Sequence, residues 1–231
     1  MVGVYEVIYD EFADELDVLV ALLDAFRQPT SASAKTRIAA ANSATLLLSA
    51  TFEEYVRELA REFAKETVYN ATKIDDLPKK FLNAVWRRNL EALAKAEVAD
   101  DDGTLESANE LYHRFMSVYE FRRGDLSKDI YTDLIKNQNN MTIDEINGLF
   151  SISGKKNIAK SCCENAEFVP LLGDDVGGRE IEALRSKVDD YFKRRNKIAH
   201  SLALNKSLAP DLIRRDIEFL KNFGRALSQA V

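Results

Sequence analysis

The chain has 231 residues and a formal charge of −6, with 46% hydrophobic residues, 30% charged residues, two cysteines and two histidines. That length supports a real hydrophobic core, and four prolines with nine glycines are too few for a disordered or fibrous protein. Neighbouring Cys162 and Cys163 make neither a disulfide framework nor a CxxC site, and two histidines exclude the His-rich metal centres of many hydrolases.

Hydrophobic periodicity predicts helix almost throughout. Val4, Val7, Ile8, Phe12, Leu16, Leu19, Val20 and Leu23 recur at three- and four-residue steps, and that helix should stop before Pro29. After the small-residue connection Thr30 to Ala34, a long helix is expected from about 35 to 69, with Leu46, Leu47, Phe52, Tyr55, Val56, Leu59 and Phe63 facing inward. A third should begin at Pro78 and end at the acidic turn 100–103. Further helices are expected at 105–119 and 126–137, and a shorter one from the Thr142–Glu145 capping box. The stretch 151–178 is the least regular and should hold the main loops. Two strong amphipathic helices close the chain at about 179–200 and 210–229. The prediction is a single all-α domain, 1–231, a helical bundle with core helices at 35–69, 179–200 and 210–229 and additional helices inserted over 70–178.

No apolar run approaches the roughly 20 residues that span a bilayer, and the opening MVGVYEVIYDEF lacks a leader pattern. A soluble, cytoplasmic chain with no membrane partner is therefore expected. The charge is uneven. Residues 1–27 hold seven acids and one base, a net of −6, whereas from Arg179 onward twelve bases face seven acids, a net of +5. Such asymmetry is either an electrostatically specialised surface or two ordinary solvated faces.

The helix at 179–200 carries the most specific pattern. Its apolar stripe runs Ile181, Leu184, Val188, Tyr191, then Ile198 and Leu202, and the stripe position between Tyr191 and Ile198 is Arg195. A guanidinium there must snorkel or find an anionic partner, because burying it alone costs several kcal/mol. At about 100° per residue, Arg195, Asn196 and His200 share an arc of roughly 140°.

This run, Arg195-Asn196-Lys197-Ile198-Ala199-His200, resembles the signature of the HEPN superfamily (higher eukaryotes and prokaryotes nucleotide-binding domains): an arginine, four to six residues, then a histidine near the end of a late helix. Leu46 to Leu59 (LLLSATFEEYVREL) is similar to the early helix of stand-alone RiboL-PSP-HEPN proteins, where an aromatic-acidic pair precedes an apolar run. The resemblance implies a metal-independent endoribonuclease with no cofactor. Its composite site would form where two protomers of a homodimer meet, and a toxin–antitoxin or antiphage setting would supply an antitoxin or defence-system partner. Under that resemblance Arg195 and His200 are catalytic, Asn196 orients the phosphate or the histidine, and the early acid corresponds to Glu53. Helical geometry independently favours Glu53 over Glu54, since Glu53 shares a flank with Val56 and Ala60. Glu53 would hold Arg195 by a salt bridge.

The residue types suit the chemistry. An imidazole titrating near neutrality serves as general acid or base, and the planar guanidinium matches a phosphate and its transition-state charge. Arg194, Lys197, Lys206, Arg214 and Arg215 flank the motif and are candidates for RNA phosphates or for a solvated face. The plainer alternatives are that His200 only caps its helix and that Arg195 with Glu53 is a structural pair. A non-catalytic HEPN scaffold binding RNA, a nucleotide or a protein is the alternative function. Ser201 departs from the glycine that often follows the histidine in the family. His113, among Leu111, Tyr112, Phe115 and Met116, is expected to be structural. The glycine-bearing stretch Gly173 to Arg179, the acidic pairs Asp75-Asp76, Asp100 to Asp102 and Asp174-Asp175, and the two cysteines are expected to be ordinary loop or packing features.

Overall fold

A computed structural model describes residues 3–26, 33–96, 108–136, 139–173, 177–200 and 208–231. Among the described residues the chain is all-α, with helices α1 (Val4–Ala25), α2 (Ala34–Tyr69), α3 (Lys79–Lys95), α4 (Ala108–Arg122), α5 (Tyr131–Leu134), α6 (Ile143–Ile152), α7 (Ile158–Cys162), α8 (Glu180–Ala199) and α9 (Pro210–Ala230), two short 3-10 turns, and no strand. The acidic turn at 100–103, Asp174, Asp175, Ser201, Leu202 and Lys206 lie outside the described residues.

The chain divides into two compact units, one of Met1–Leu59, Asn139–Asn147 and Asn157–Val231, the other of Ala60–Gln138 and Gly148–Lys156. In the first unit α1 lies against α9, and an aromatic cluster forms their core. Phe12 stacks on Tyr55 with ring centroids 4.2 Å apart, and Phe52 lies 5.9 Å from Phe223, which stacks on Phe168 at 5.6 Å. Gly224 makes this approach possible: a Cβ there would stand 2.7 Å from Phe12 Cε1, closer than packed carbons come. The Tyr55 hydroxyl donates to the Gly224 carbonyl at 2.6 Å, so the buried phenol keeps a partner.

The same packing answers the charge asymmetry. Lys221 of α9 donates to Asp17 of α1 at 2.7 Å, Arg214 pairs with Asp24, and the Arg225 guanidinium lies 5.1 Å from the centroid of the Tyr9 ring. Acids of the first helix and bases of the last are thus partners of one another.

The second unit is built on the end of α2 with α3, α4 and α5. Phe81 and Phe121 meet at 6.3 Å, and Phe63 and Phe150 at 6.1 Å. Buried Asn89 donates to the Val85 carbonyl at 2.8 Å and towards that of Ile130 at 3.4 Å, and Arg88 donates to the Leu134 carbonyl at 2.9 Å. His113 is exposed on α4, edge-on to Tyr112, so it is not the packed residue that its apolar neighbours suggested.

Three details of the helices differ from expectation. In α2 Leu48 is fully buried, while Leu47 is 49% exposed: the stripe Leu48, Phe52, Tyr55, Val56, Leu59 keeps the helical step and Leu47 lies a sixth of a turn or more off it. The helix expected at 126–137 shrinks to Tyr131–Leu134 because Asp125 accepts from Ser127 N at 3.1 Å and Asp129 from Tyr131 N at 3.1 Å, short side-chain bonds that compete with helix. Within 151–178, α7 is nucleated by Asn147, whose side-chain oxygen accepts the Ala159 N–H at 3.1 Å, and Ile158, Cys162, Phe168 and Leu172 are buried.

Candidate functional site

The site lies where α2, α8 and α9 of the first unit come together. α8 starts with Glu180 and Glu182 and ends with Lys197 in its last turn, an order that suits the helix dipole. Leu184, Val188, Tyr191 and Phe192 bury one side of it. The Tyr191 hydroxyl donates to the Thr45 carbonyl of α2 at 3.1 Å, tying the two helices one turn before the motif. Burial pushes that phenol well above the ordinary tyrosine range; Asp216 and Glu53 add to the effect and Arg195 opposes it.

Arg195 and Arg194 leave α8 about 100° apart and go to different neighbours. Arg195 is half-buried; it donates to the Asn196 side-chain oxygen at 3.1 Å, and its Nε is buried with no hydrogen-bond partner. Its charge is felt by Glu53 on α2. Burial raises the Glu53 carboxyl above the usual glutamate range, against the opposing pull of Arg195, a hydrogen bond from Ser49 at 3.2 Å, and Arg57. The structure therefore brings Glu53 and Arg195 into electrostatic reach, but the hydrogen bond that Glu53 receives comes from its own helix rather than from Arg195.

His200 is the C-cap residue of α8, with φ −95° and ψ 1°, and its backbone N–H donates to the Asn196 carbonyl at 3.0 Å. Its imidazole side is exposed. Arg195, Asn196 and His200 are thus gathered at one helix end, with Arg195 partly sheltered and His200 open to solvent.

The flanking bases divide. Arg194 donates to Asp216 of α9 at 2.6 Å, and Arg214 pairs with Asp24, so both are engaged in intramolecular ion pairs. Lys197 and Arg215 are exposed.

Asp216 is the residue that motif reading missed. Its side chain is only 12% exposed, and burial raises its carboxyl while Arg194 opposes the shift. A signal was present: Ile213, Asp216 and Leu220 keep the three-then-four step of a buried stripe, with an acid in the middle. Ser49 was legible only as a small polar residue between Leu48 and Phe52.

The other candidates have structural roles. Asp76 accepts from Thr72 and Lys73 backbone N–H groups at 3.1 and 3.0 Å, and the Thr72 hydroxyl bond chiefly lowers its carboxyl. Cys162 is buried, and burial with nearby Glu180 pushes the Cys163 thiol up to about 11. Among the described residues no group of three or more His, Cys, Asp or Glu side chains converges as metal ligands, and no helix is long and apolar enough to cross a membrane.

An all-helical chain whose penultimate helix ends in Arg-Asn-x-x-x-His has the features of a HEPN protein. The RiboL-PSP-HEPN family model matches residues 10–231, and the chain belongs to that family. No curated protein and no solved structure gives a significant match.

Proposed function

We propose that this protein is a metal-independent HEPN endoribonuclease, cytoplasmic, acting as a homodimer on cellular or phage RNA in a toxin–antitoxin or antiphage role. The observation that carries the reading is the gathering of Arg195, Asn196 and His200 at the end of α8, with the Arg195 charge sheltered beside Glu53. In the proposed step the ribose 2′-oxygen attacks the adjacent phosphorus and the bond to the 5′-oxygen breaks. The proton on the 2′-oxygen passes to a His200 imidazole, and an imidazolium, that of the second protomer, protonates the departing 5′-oxygen. The Arg195 fork holds the non-bridging phosphate oxygens as negative charge accumulates. Asn196 accepts from Arg195 and fixes the direction of that fork. Glu53 supplies a compensating charge from α2.

The test is incubation of the purified protein with tRNA or total RNA in EDTA, beside Arg195→Ala and His200→Ala. Cleavage by the wild type and loss of about 100-fold or more in both variants is the expected result. Equal cleavage by all three, or by none, overturns the enzyme. RNA retardation without cleavage assigns the chain to the binding-scaffold class instead.

A further inference from the structure

We infer that Asp216 on α9 is a positioning residue for the motif: by holding Arg194 across the α8–α9 contact it sets the rotation of the last turns of α8, and through them the directions of Arg195 and His200. The inference rests on the ribonuclease reading for its consequence in catalysis, while its geometric content stands on the fold.

Three observations converge. The Arg194–Asp216 contact is 2.6 Å, with side chains only 27% and 12% exposed, so it is sheltered from the solvent that weakens surface pairs. Arg194 Nε and Asp216 Oδ2 are both buried without a hydrogen-bond partner, so the single bond between the two side chains carries their mutual satisfaction and its loss strands both. Asp216 stands on a rigid element, between buried Ile213, Ile217 and Leu220.

The placement gives the pair leverage. Arg194 is next to Arg195, and His200 follows six residues later, about 9 Å along the axis. Two adjacent arginines on one helix cannot occupy one groove. Asp216 decides that Arg194 turns to α9, which leaves Arg195 as the guanidinium on the Glu53 side. Tyr191, bonded to Thr45, fixes the helix one turn earlier, but its hydroxyl does not choose between the two arginines.

The two histidines make the geometric claim observable. In a carbon–proton NMR spectrum of ¹³C-histidine-labelled protein, His200 reports on the motif and His113, in the other unit, serves as the internal reference. Asp216→Asn is expected to displace the His200 signals and leave those of His113, to lower kcat on RNA in EDTA by about tenfold or more with KM changed less than about threefold, and to be largely rescued in Asp216→Glu. Arg194→Lys, which keeps the charge but loses the planar fork, should move His200 in the same way and provides the reading where Asp216→Asn does not fold. Unmoved His200 signals in the folded variants overturn the positioning role, whether or not RNA is cut. So does an unchanged kcat in Asp216→Asn when the wild type cleaves. Displaced His200 signals with no cleavage by the wild type uphold the geometric role and overturn only the ribonuclease reading.

Discussion

The Arg195 guanidinium on α8 acts on the Glu53 carboxylate of α2 through space, with no nitrogen–oxygen approach within 4.0 Å between them among the described residues. A locked salt bridge would satisfy both partners. Here the arginine keeps hydrogen-bonding capacity, with Nε buried and unpartnered, beside a half-buried carboxylate whose desolvation outweighs its attraction to the arginine. Such an arrangement costs stability and leaves a cation able to engage an anion.

Glu53→Gln should therefore raise stability while lowering activity. A carboxyl whose folded value is raised contributes favourably at acid pH and loses that contribution as pH rises from the ordinary 4.5 through the raised value. Removing it should raise Tm at pH 7 by on the order of 1–2 °C and flatten the acid side of the pH–Tm curve. Thermal melts from pH 4 to 8 check this, and a Tm lowered by several degrees would show that Glu53 is a stabilising partner instead.

Gly224→Ala tests the first unit's core. The new methyl meets the Phe12 ring at 2.7 Å and Tyr55 at 3.2 Å, and Tyr55 is held by its bond to the Gly224 carbonyl, so neither ring can yield freely. A loss of about 1–3 kcal/mol in urea unfolding is expected.

The fate of the flanking bases predicts a division in salt dependence. Using His200→Ala to prevent cleavage, substitution of Lys197 or Arg215 by Ala should reduce the slope of log affinity against log salt by about one each. Arg214→Ala should leave the slope unchanged, since Arg214 is paired with Asp24. Fluorescence anisotropy with a labelled RNA across a salt series measures all three, and an equal loss in Arg214→Ala would overturn the division.

Cys163 should be slow to react with a disulfide reagent at pH 7, because burial and the neighbouring glutamates push its thiol up to about 11. The labelling rate should climb steadily with pH through 10, following the thiolate fraction. Fast labelling of Cys163 at pH 7, located by mass spectrometry, would contradict the site described.

By itself the sequence determined the helical class, the order of the long helices, and the string from Arg195 to His200, because a 3.6-residue apolar period and a contiguous motif are local properties of the chain. It also marked Arg195 as anomalous, an arginine in a slot that Leu184, Val188 and Tyr191 reserve for burial. What only the tertiary structure decided was which charges meet. Arg194 finds Asp216 across 22 residues and Arg214 finds Asp24 across 190, so two bases that the sequence left open between RNA phosphates and a solvated face pair with the protein's own acids. The short α5 was decided locally, by the side-chain bonds of Asp125 and Asp129 that compete with helix, and the choice of Leu48 over Leu47 by burial. Periodicity tells which face of a helix is apolar. The partner of each charge depends on how α1, α2, α8 and α9 are brought together, and that is fixed by contacts between residues far apart in the chain.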